Sequence, residues 1–317
     1  MHPADIPPLS RADRIVGGLV GLLVGDALGV PYEFNDPGEL PAAAEIEFDP
    51  PPRFVRSHAG TPPGTWSDDG SQALCLLASL LDRGRLDADD FGRRLIGWSR
   101  GDFWVDGRVF DVGITTQRAL RILRAGMAAE RAGPDGEHDN GNGSLMRVLP
   151  LALWHRGTDA ELVADARRQS LVTHGHVRSQ VCCAAYCLWA RRTLEGSADA
   201  WGDAVSALRS VLGDDGGGDA RGEFEYHVRP DDDSPGRGSG YVVDTLRSAR
   251  WAVGRGPFEA AVRAAVCLGH DTDTTGAVAG GIAGLRDGLS GIPRRWREGL
   301  RGADILNPLL ERLLERG

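Results

Sequence analysis

The sequence predicts an all-α protein folded as a single compact multi-helix domain. Apolar residues recur at helical spacing in segment after segment, and strand-like alternation is nearly missing. The 317 residues are also enough to bury one large core.

The elements follow in chain order. Ile15–Leu28 is apolar with interspersed glycines, and reads as the first helix. Gln72–Leu81, Phe91–Trp98, Thr116–Met127, Leu145–Trp154, Ala160–Gln169 and Val177–Thr193 have helical spacing or composition. So do Ala200–Leu212, Tyr241–Val253, Phe258–Cys267, Ala277–Leu285 and Leu309–Leu314. The best short strand candidate is Glu45–Phe48. Residues 1–13 read as a tail, with long loops at 35–63, rich in proline, and 213–240, dense in Gly and Asp. Two acidic clusters flank the second loop; if they meet, the chain is one domain.

Composition narrows the function. The formal net charge is −9 and every basic side chain apart from histidine is arginine. An acidic balance argues against a nucleic-acid partner, which needs a basic surface. Neither a secretory signal nor a charge-free apolar span of membrane length is evident, so a cytoplasmic protein with no membrane partner is expected. Cys75, Cys182, Cys183, Cys187 and Cys267 lie in apolar stretches without C-x-x-C spacing. They read as small buried hydrophobes in a reducing compartment, not as zinc ligands.

The first acidic cluster, Ser67-Asp68-Asp69, follows Trp66 and precedes the apolar run Ala73–Leu77. Ser and Asp before a helix are common N-caps, but capping needs only one side chain. The second cluster, Asp271-Thr272-Asp273-Thr274, interrupts two apolar segments that would otherwise form a buried hairpin. Unpaired carboxylates in such a place are costly, and a divalent cation removes the cost. Hard oxygen ligands suit Mg²⁺ or Mn²⁺ better than zinc. Together the clusters offer enough oxygen-bearing side chains for two such ions, although two independent helix caps would show the same residues.

The paired clusters resemble the signature of the ADP-ribosylglycohydrolase family, and within it the bacterial dinitrogenase reductase-activating glycohydrolases. The likeness runs from about Arg14 to Leu289. It includes Gly25-Asp26-Ala27-Leu28-Gly29-Val30-Pro31-Tyr32-Glu33, Gly107–Thr116, Asn142–Arg147, Thr173-His174 and Ser239–Leu246. The resemblance implies an all-α fold with a central dinuclear Mg²⁺ or Mn²⁺ cleft. It implies hydrolysis of the bond joining ADP-ribose to a protein side chain, with an ADP-ribosylated protein as substrate and ADP-ribose as product ligand. By position, Ser67, Asp68, Asp69, Asp271, Asp273 and Thr274 would be the metal ligands, with Asp273 a candidate bridge. The family more often has Thr where Ser67 stands; both supply a hydroxyl.

Other residues carry alternatives. Asp111 precedes a helix and could cap it; a carboxylate also suits a guanidinium, and the resemblance places Asp111 where arginine-directed members contact their target. Asn142-Gly143-Ser144 leads into a helix, where exposed N–H groups would hold a diphosphate. His174 is either structural or a contact to ribose or diphosphate. Tyr241 either packs locally or stacks on adenine or ribose. Glu33 is either a solvated surface residue or sits on a mobile segment over the cleft, near the scissile bond. Asp68 or Glu33 could carry the proton in hydrolysis. Arginine linkage is the expected substrate; ADP-ribosyl-serine, a small ADP-ribose derivative or a non-catalytic ADP-ribose-binding relative are the alternatives. The retained clusters argue against the last.

Overall fold

The computed structural model describes residues 9–213 and 218–316. Among them there are no strands, only one isolated antiparallel bridge between Gly141 and Tyr241. The helices are α1 (Arg11–Gly29), α2 (Asp68–Arg83), α3 (Ala88–Trp98), α4 (Ile114–Arg124), α5 (Leu149–Trp154), α6 (Asp159–Leu171) and α7 (Val177–Glu195). They continue with α8 (Ala200–Leu212), α9 (Gly218–Gly222), α10 (Val242–Val253), α11 (Phe258–Val266), α12 (Thr272–Gly291), α13 (Arg294–Gly299) and α14 (Ala303–Leu314). One contiguous hydrophobic cluster runs through them.

Two long helices, α1 and α12, form the centre, and glycine lets them touch. Gly17, Gly21 and Gly25 recur every four residues along one ridge of α1, facing Gly284, Gly280 and Gly276 of α12. A Cβ at Gly25 would lie 2.0 Å from the Gly276 carbonyl oxygen, and one at Gly21 would lie 2.4 Å from that of Gly280. The backbones are therefore packed without intervening side chains, closer than ordinary helix pairs allow. The pair runs antiparallel, so the C-terminal end of α1 meets the N-terminal end of α12: a Cβ at Gly29 would strike Asp273 Cα at 2.4 Å. The Thr272 hydroxyl donates to the Gly29 carbonyl (2.8 Å) and closes this corner.

By length and apolarity the stretch Arg11–Tyr32 could cross a membrane, but 94% of its apolar window is buried within the fold. It is a core helix. On the far side of α12, Tyr186 of α7 donates to the Val278 carbonyl (2.9 Å). The cysteines are free; Cys75, Cys182, Cys183 and Cys187 are buried and Cys267 is half-buried.

Several boundaries differ from those read in the sequence. Residues 1–8 of the expected tail lie outside the described residues, and α1 already begins at Arg11, capped by the Ser10 side chain. Glu45–Phe48 is no strand: a 3₁₀ turn covers Ala43–Glu45, and Ile46 and Phe48 are buried with no partner strand. The expected loop 213–240 contains α9 and a π-helical turn, Glu223–Val228; its residues 214–217 lie outside the described residues. Helix α5 starts at Leu149, where Pro150 favours the first turn, and the preceding Leu145–Val148 form turns. Helix α13 escaped notice because Arg294–Gly299 is largely polar.

Candidate functional site

Both acidic clusters are helix N-termini. Ser67 caps α2, and Asp68 and Asp69 occupy its first turn. Asp271 stands at the N-cap of α12, with Asp273 and Thr274 in the first turn. The second cluster thus opens a helix; it does not interrupt a hairpin. Carboxylates are favoured at such ends because the unpaired N–H groups carry partial positive charge.

The clusters meet. The Thr274 hydroxyl donates to Asp69 Oδ2 (3.3 Å), across 205 residues of sequence. Ser67 donates to the same oxygen (3.2 Å). Asp26, near the end of α1, accepts from the Ser67 N–H (2.8 Å) and the Gly70 N–H (2.7 Å) and so seats the start of α2 against α1. Ligand atoms of Asp68, Asp111 and Asp273 lie within 4.8 Å of one another, as do those of Glu33, Asp271 and Asp273. Asp273 belongs to both groups.

The chemistry of this donor set fits a cation. Asp69 Oδ1 and Asp273 Oδ2 are buried and have no hydrogen-bond partner. Burial, followed by the repulsion of neighbouring carboxylates, holds Glu33, Asp68, Asp69 and Asp273 well above the usual carboxylate range. Burial likewise pushes Asp26 up to about 7 and Asp111 up to about 6. No arginine lines the cavity to compensate them. These acidic groups are positioned to hold metal ions.

A stability prediction follows. Asp26 and Asp111 keep protons in the folded chain at pH values where the unfolded chain has lost them. Without a bound cation, their contribution to stability therefore falls as pH rises from about 4 to about 7. In EDTA the melting temperature is expected to drop across that interval. Saturating Mn²⁺ or Mg²⁺ at pH 7 should raise it by about 2–5 °C. Identical melting curves with and without the cation would rule out a bound ion.

Above the carboxylates lies a cavity of about 620 Å³, within the range of small-molecule sites. Glu33, Asp68, Asp111, Asn142, Gly143, His174, Asp271 and Thr274 line it, together with Phe34, Ile114, Met146 and His270. Ser67, Asp69 and Asp273 lie beneath it. Asp111 does not cap α4, whose N-cap is Gly113 without a side-chain bond. Its carboxylate joins the acidic groups instead, on a backbone with φ of 53°. Glu33 is buried, so it is not a solvated surface residue. Its backbone carbonyl accepts from Asn35 Nδ2 (2.8 Å) and Ser57 Oγ (2.5 Å). These bonds tie down the segment expected to be mobile.

Other expected contacts take different places. Asn142 spends its amide on Asp271 Oδ2 (2.8 Å) and Thr245 Oγ1 (2.9 Å), bracing a candidate ligand. Among the described residues the Gly143 and Ser144 N–H groups donate to no protein acceptor, whereas the Ser144 hydroxyl is buried and accepts from Ser170. His174 packs its ring on Gly143, where a Cβ would come within 2.8 Å of Cε1. Burial, then Arg147, push its pKa down to about 3, so the ring is neutral. Tyr241 does not line this cavity. It sits on the neighbouring rim, 39% exposed, and its hydroxyl accepts from Arg178 (3.1 Å).

Sequence reasoning missed three supporting residues. Gln72 donates to Asp68 Oδ2 (3.0 Å) and accepts from Arg147 Nη1 (2.8 Å). Arg147 is fully buried; it stands in the Asn142–Arg147 motif with no role assigned, and its place in an apolar run is the remaining signal. His58 contacts Glu33 Oε2 through Nε2 (2.5 Å) and has no local signature at all.

In this all-α domain, carboxylates and hydroxyls from two helix N-termini meet on the floor of one cleft, positioned to hold metal ions. The ADP-ribosylglycohydrolase family profile matches residues 7–317, and the chain belongs to that family. It is 34% identical to an ADP-ribosylarginine hydrolase, Tri1, of Serratia proteamaculans, over 98% of this chain and 81% of the relative. It is 30% identical to the ADP-ribosyl-dinitrogen reductase glycohydrolase of Rhodospirillum rubrum, over 90% of this chain and 89% of that protein. A solved structure described as an ADP-ribosylglycohydrolase-related protein complex superimposes with a TM-score of 0.77 at 35% identity, covering 96% of this chain and 98% of its own.

Proposed function

We propose that this protein hydrolyses the N-glycosidic bond between ADP-ribose and arginine side chains of modified proteins, using two Mg²⁺ or Mn²⁺ ions. The convergence of Thr274 and Asp69 carries the reading, because it gathers both clusters under one cavity. The likeness to ADP-ribosylarginine hydrolases of Serratia proteamaculans and Pseudomonas putida supports the arginine linkage.

Ser67, Asp68, Asp69, Asp271, Asp273 and Thr274 would hold the cations, with Asp273 common to both positions. Bound divalent ions supply orientation of the ribose hydroxyls and stabilisation of developing charge. The chain's own residues do the rest. Asp111 meets the target guanidinium at the cavity wall, and the Gly143 and Ser144 N–H groups and neutral His174 face the diphosphate. Water adds through its oxygen to C1″ of the ribose. The C1″–N bond breaks, and its electron pair stays on the guanidine nitrogen. Glu33 takes the water proton and returns one to that nitrogen; Asp68, held by Gln72, stays with the cations.

Peptides carrying ADP-ribosyl-arginine and ADP-ribosyl-serine, each with Mn²⁺, Mg²⁺ or EDTA, test this. ADP-ribose release is expected to be about 100-fold faster from arginine than from serine, and to stop in EDTA. Release only from serine overturns the arginine assignment. Undiminished release in EDTA overturns the cations.

A further inference from the structure

His58 lies outside the acidic motifs, within the proline-rich segment 35–63, and its side chain reaches Glu33 on the cavity wall, 25 residues away in sequence. Its Nε2 stands 2.5 Å from Glu33 Oε2. The approach is built from both sides. Ser57 donates its N–H to the Pro31 carbonyl (2.9 Å) and its hydroxyl to the Glu33 carbonyl (2.5 Å), pinning the neighbouring residue to the turn after α1. The imidazole itself sits between two rings, with centroids 5.0 Å from Phe110 and 5.7 Å from Phe34. Two tilted aromatic contacts limit the ring's freedom to swing.

The backbone is bent to make this possible. His58 has φ of 49°, and Phe34 and Asp111, on the same wall, have φ of 65° and 53°. Non-glycine residues in this region are strained and gather where function demands a fixed geometry. A glutamate side chain has three rotatable bonds, and a carboxylate that must carry a proton needs one orientation. Glu33 Oε2 stands within hydrogen-bond distance of His58 Nε2, and the same carboxyl group also lies against those of Asp111 and Asp273.

We infer that His58 is a positioning residue for the reaction: its Nε2–H holds Oε2 of Glu33 and thereby aims Oε1 at the scissile bond. The inference rests on the proton-carrying role given above to Glu33. It assigns His58 no contact with substrate. The charged groups around the pair are Asp111, Asp271 and Asp273 on the cavity side, with Arg56 and Arg108 beside the imidazole. Neither arginine hydrogen-bonds Glu33 among the described residues; from that side the imidazole alone contacts it.

Steady-state kinetics on the linkage that the parent protein cleaves, arginine or serine, test the idea. His58→Phe keeps the ring between Phe34 and Phe110 but removes the donor. Its kcat is expected to fall about 30-fold with KM within about twofold of the parent. His58→Gln restores an N–H near Nε2 and should bring kcat back to within about threefold. In a Glu33→Gln background, His58→Phe should cost nothing further. Equal losses in the Phe and Gln variants, a change confined to KM, or a full His58→Phe effect in the Glu33→Gln background would each overturn the positioning role. Activity on serine alone would overturn the arginine reading and leave His58 to be judged by the same variants. A parent inert on both linkages overturns both.

Discussion

Asp273→Asn is expected to lower turnover on the order of 10³-fold and, in EDTA, to melt above the parent protein. Both halves follow from one position. Asp273 is fully buried, belongs to two candidate cation groups, and leaves Oδ2 without a partner. On the two-cation reading proposed above it would be the carboxylate shared between them, and losing such charge stabilisation costs a large factor in rate. Without ions, the same carboxylate stands among Asp111, Asp271 and Asp26, and its ionised form is disfavoured by burial and by each of them. A neutral amide relieves that crowding and can donate to its neighbours. The apo variant should gain about 2 °C in melting temperature for each kcal/mol of repulsion removed. Turnover assays with Mn²⁺ and thermal melts in EDTA measure the two halves. A variant with near-parental rates, or one destabilised in EDTA, would contradict the account of the site.

Gly25→Ala is expected to destabilise the whole fold, by about 3–5 kcal/mol, and to leave little folded protein at 37 °C. In an isolated helix this substitution would help, since alanine has the higher helix propensity. Here the new methyl would sit 2.0 Å from the Gly276 oxygen and 2.5 Å from its carbonyl carbon. Backbone atoms cannot rotate away as a side-chain tip can, so α1 and α12 must separate. Separation also moves Asp26 and the start of α12, and with them both acidic clusters. Gly222→Ala is the control: no atom lies within 4 Å of the position its Cβ would take. It should be neutral or slightly stabilising in urea unfolding. Equal effects of the two substitutions would mean that the close seam does not hold the fold.

Much of this architecture is legible locally. Helical periodicity marks α2, α3, α7, α8, α10 and α11 within a few residues, because burying one face of a helix imposes its period on neighbouring positions. The acidic clusters are legible too. Two carboxylates and a hydroxyl inside otherwise apolar surroundings are costly, and a cation removes the cost. Their capping role was also legible, and the structure makes the two readings one: both clusters cap or open a helix and supply the candidate ligands. Periodicity fails where composition misleads, as at α13, whose exposed face is almost all arginine and glutamate. It fails again at Glu45–Phe48, whose alternation reflects burial of Ile46 and Phe48, not pairing.

The family signature, the all-helical class and the chemistry of the two clusters reside in stretches of a few residues, where neighbours along the chain are also neighbours in space. Pairings between residues that are not chain neighbours do not. That Thr274 reaches Asp69, that Asn142 braces Asp271, that Ser144 turns inward and that His58 grips Glu33 emerge only when the helices pack. A hydrogen bond acts over about 3 Å, and nothing in the local sequence says which distant atom will arrive there. The glycines of α1 show this most plainly: alone they look like weak helix formers, and only against α12 do they become the reason that the acidic helix ends share one floor.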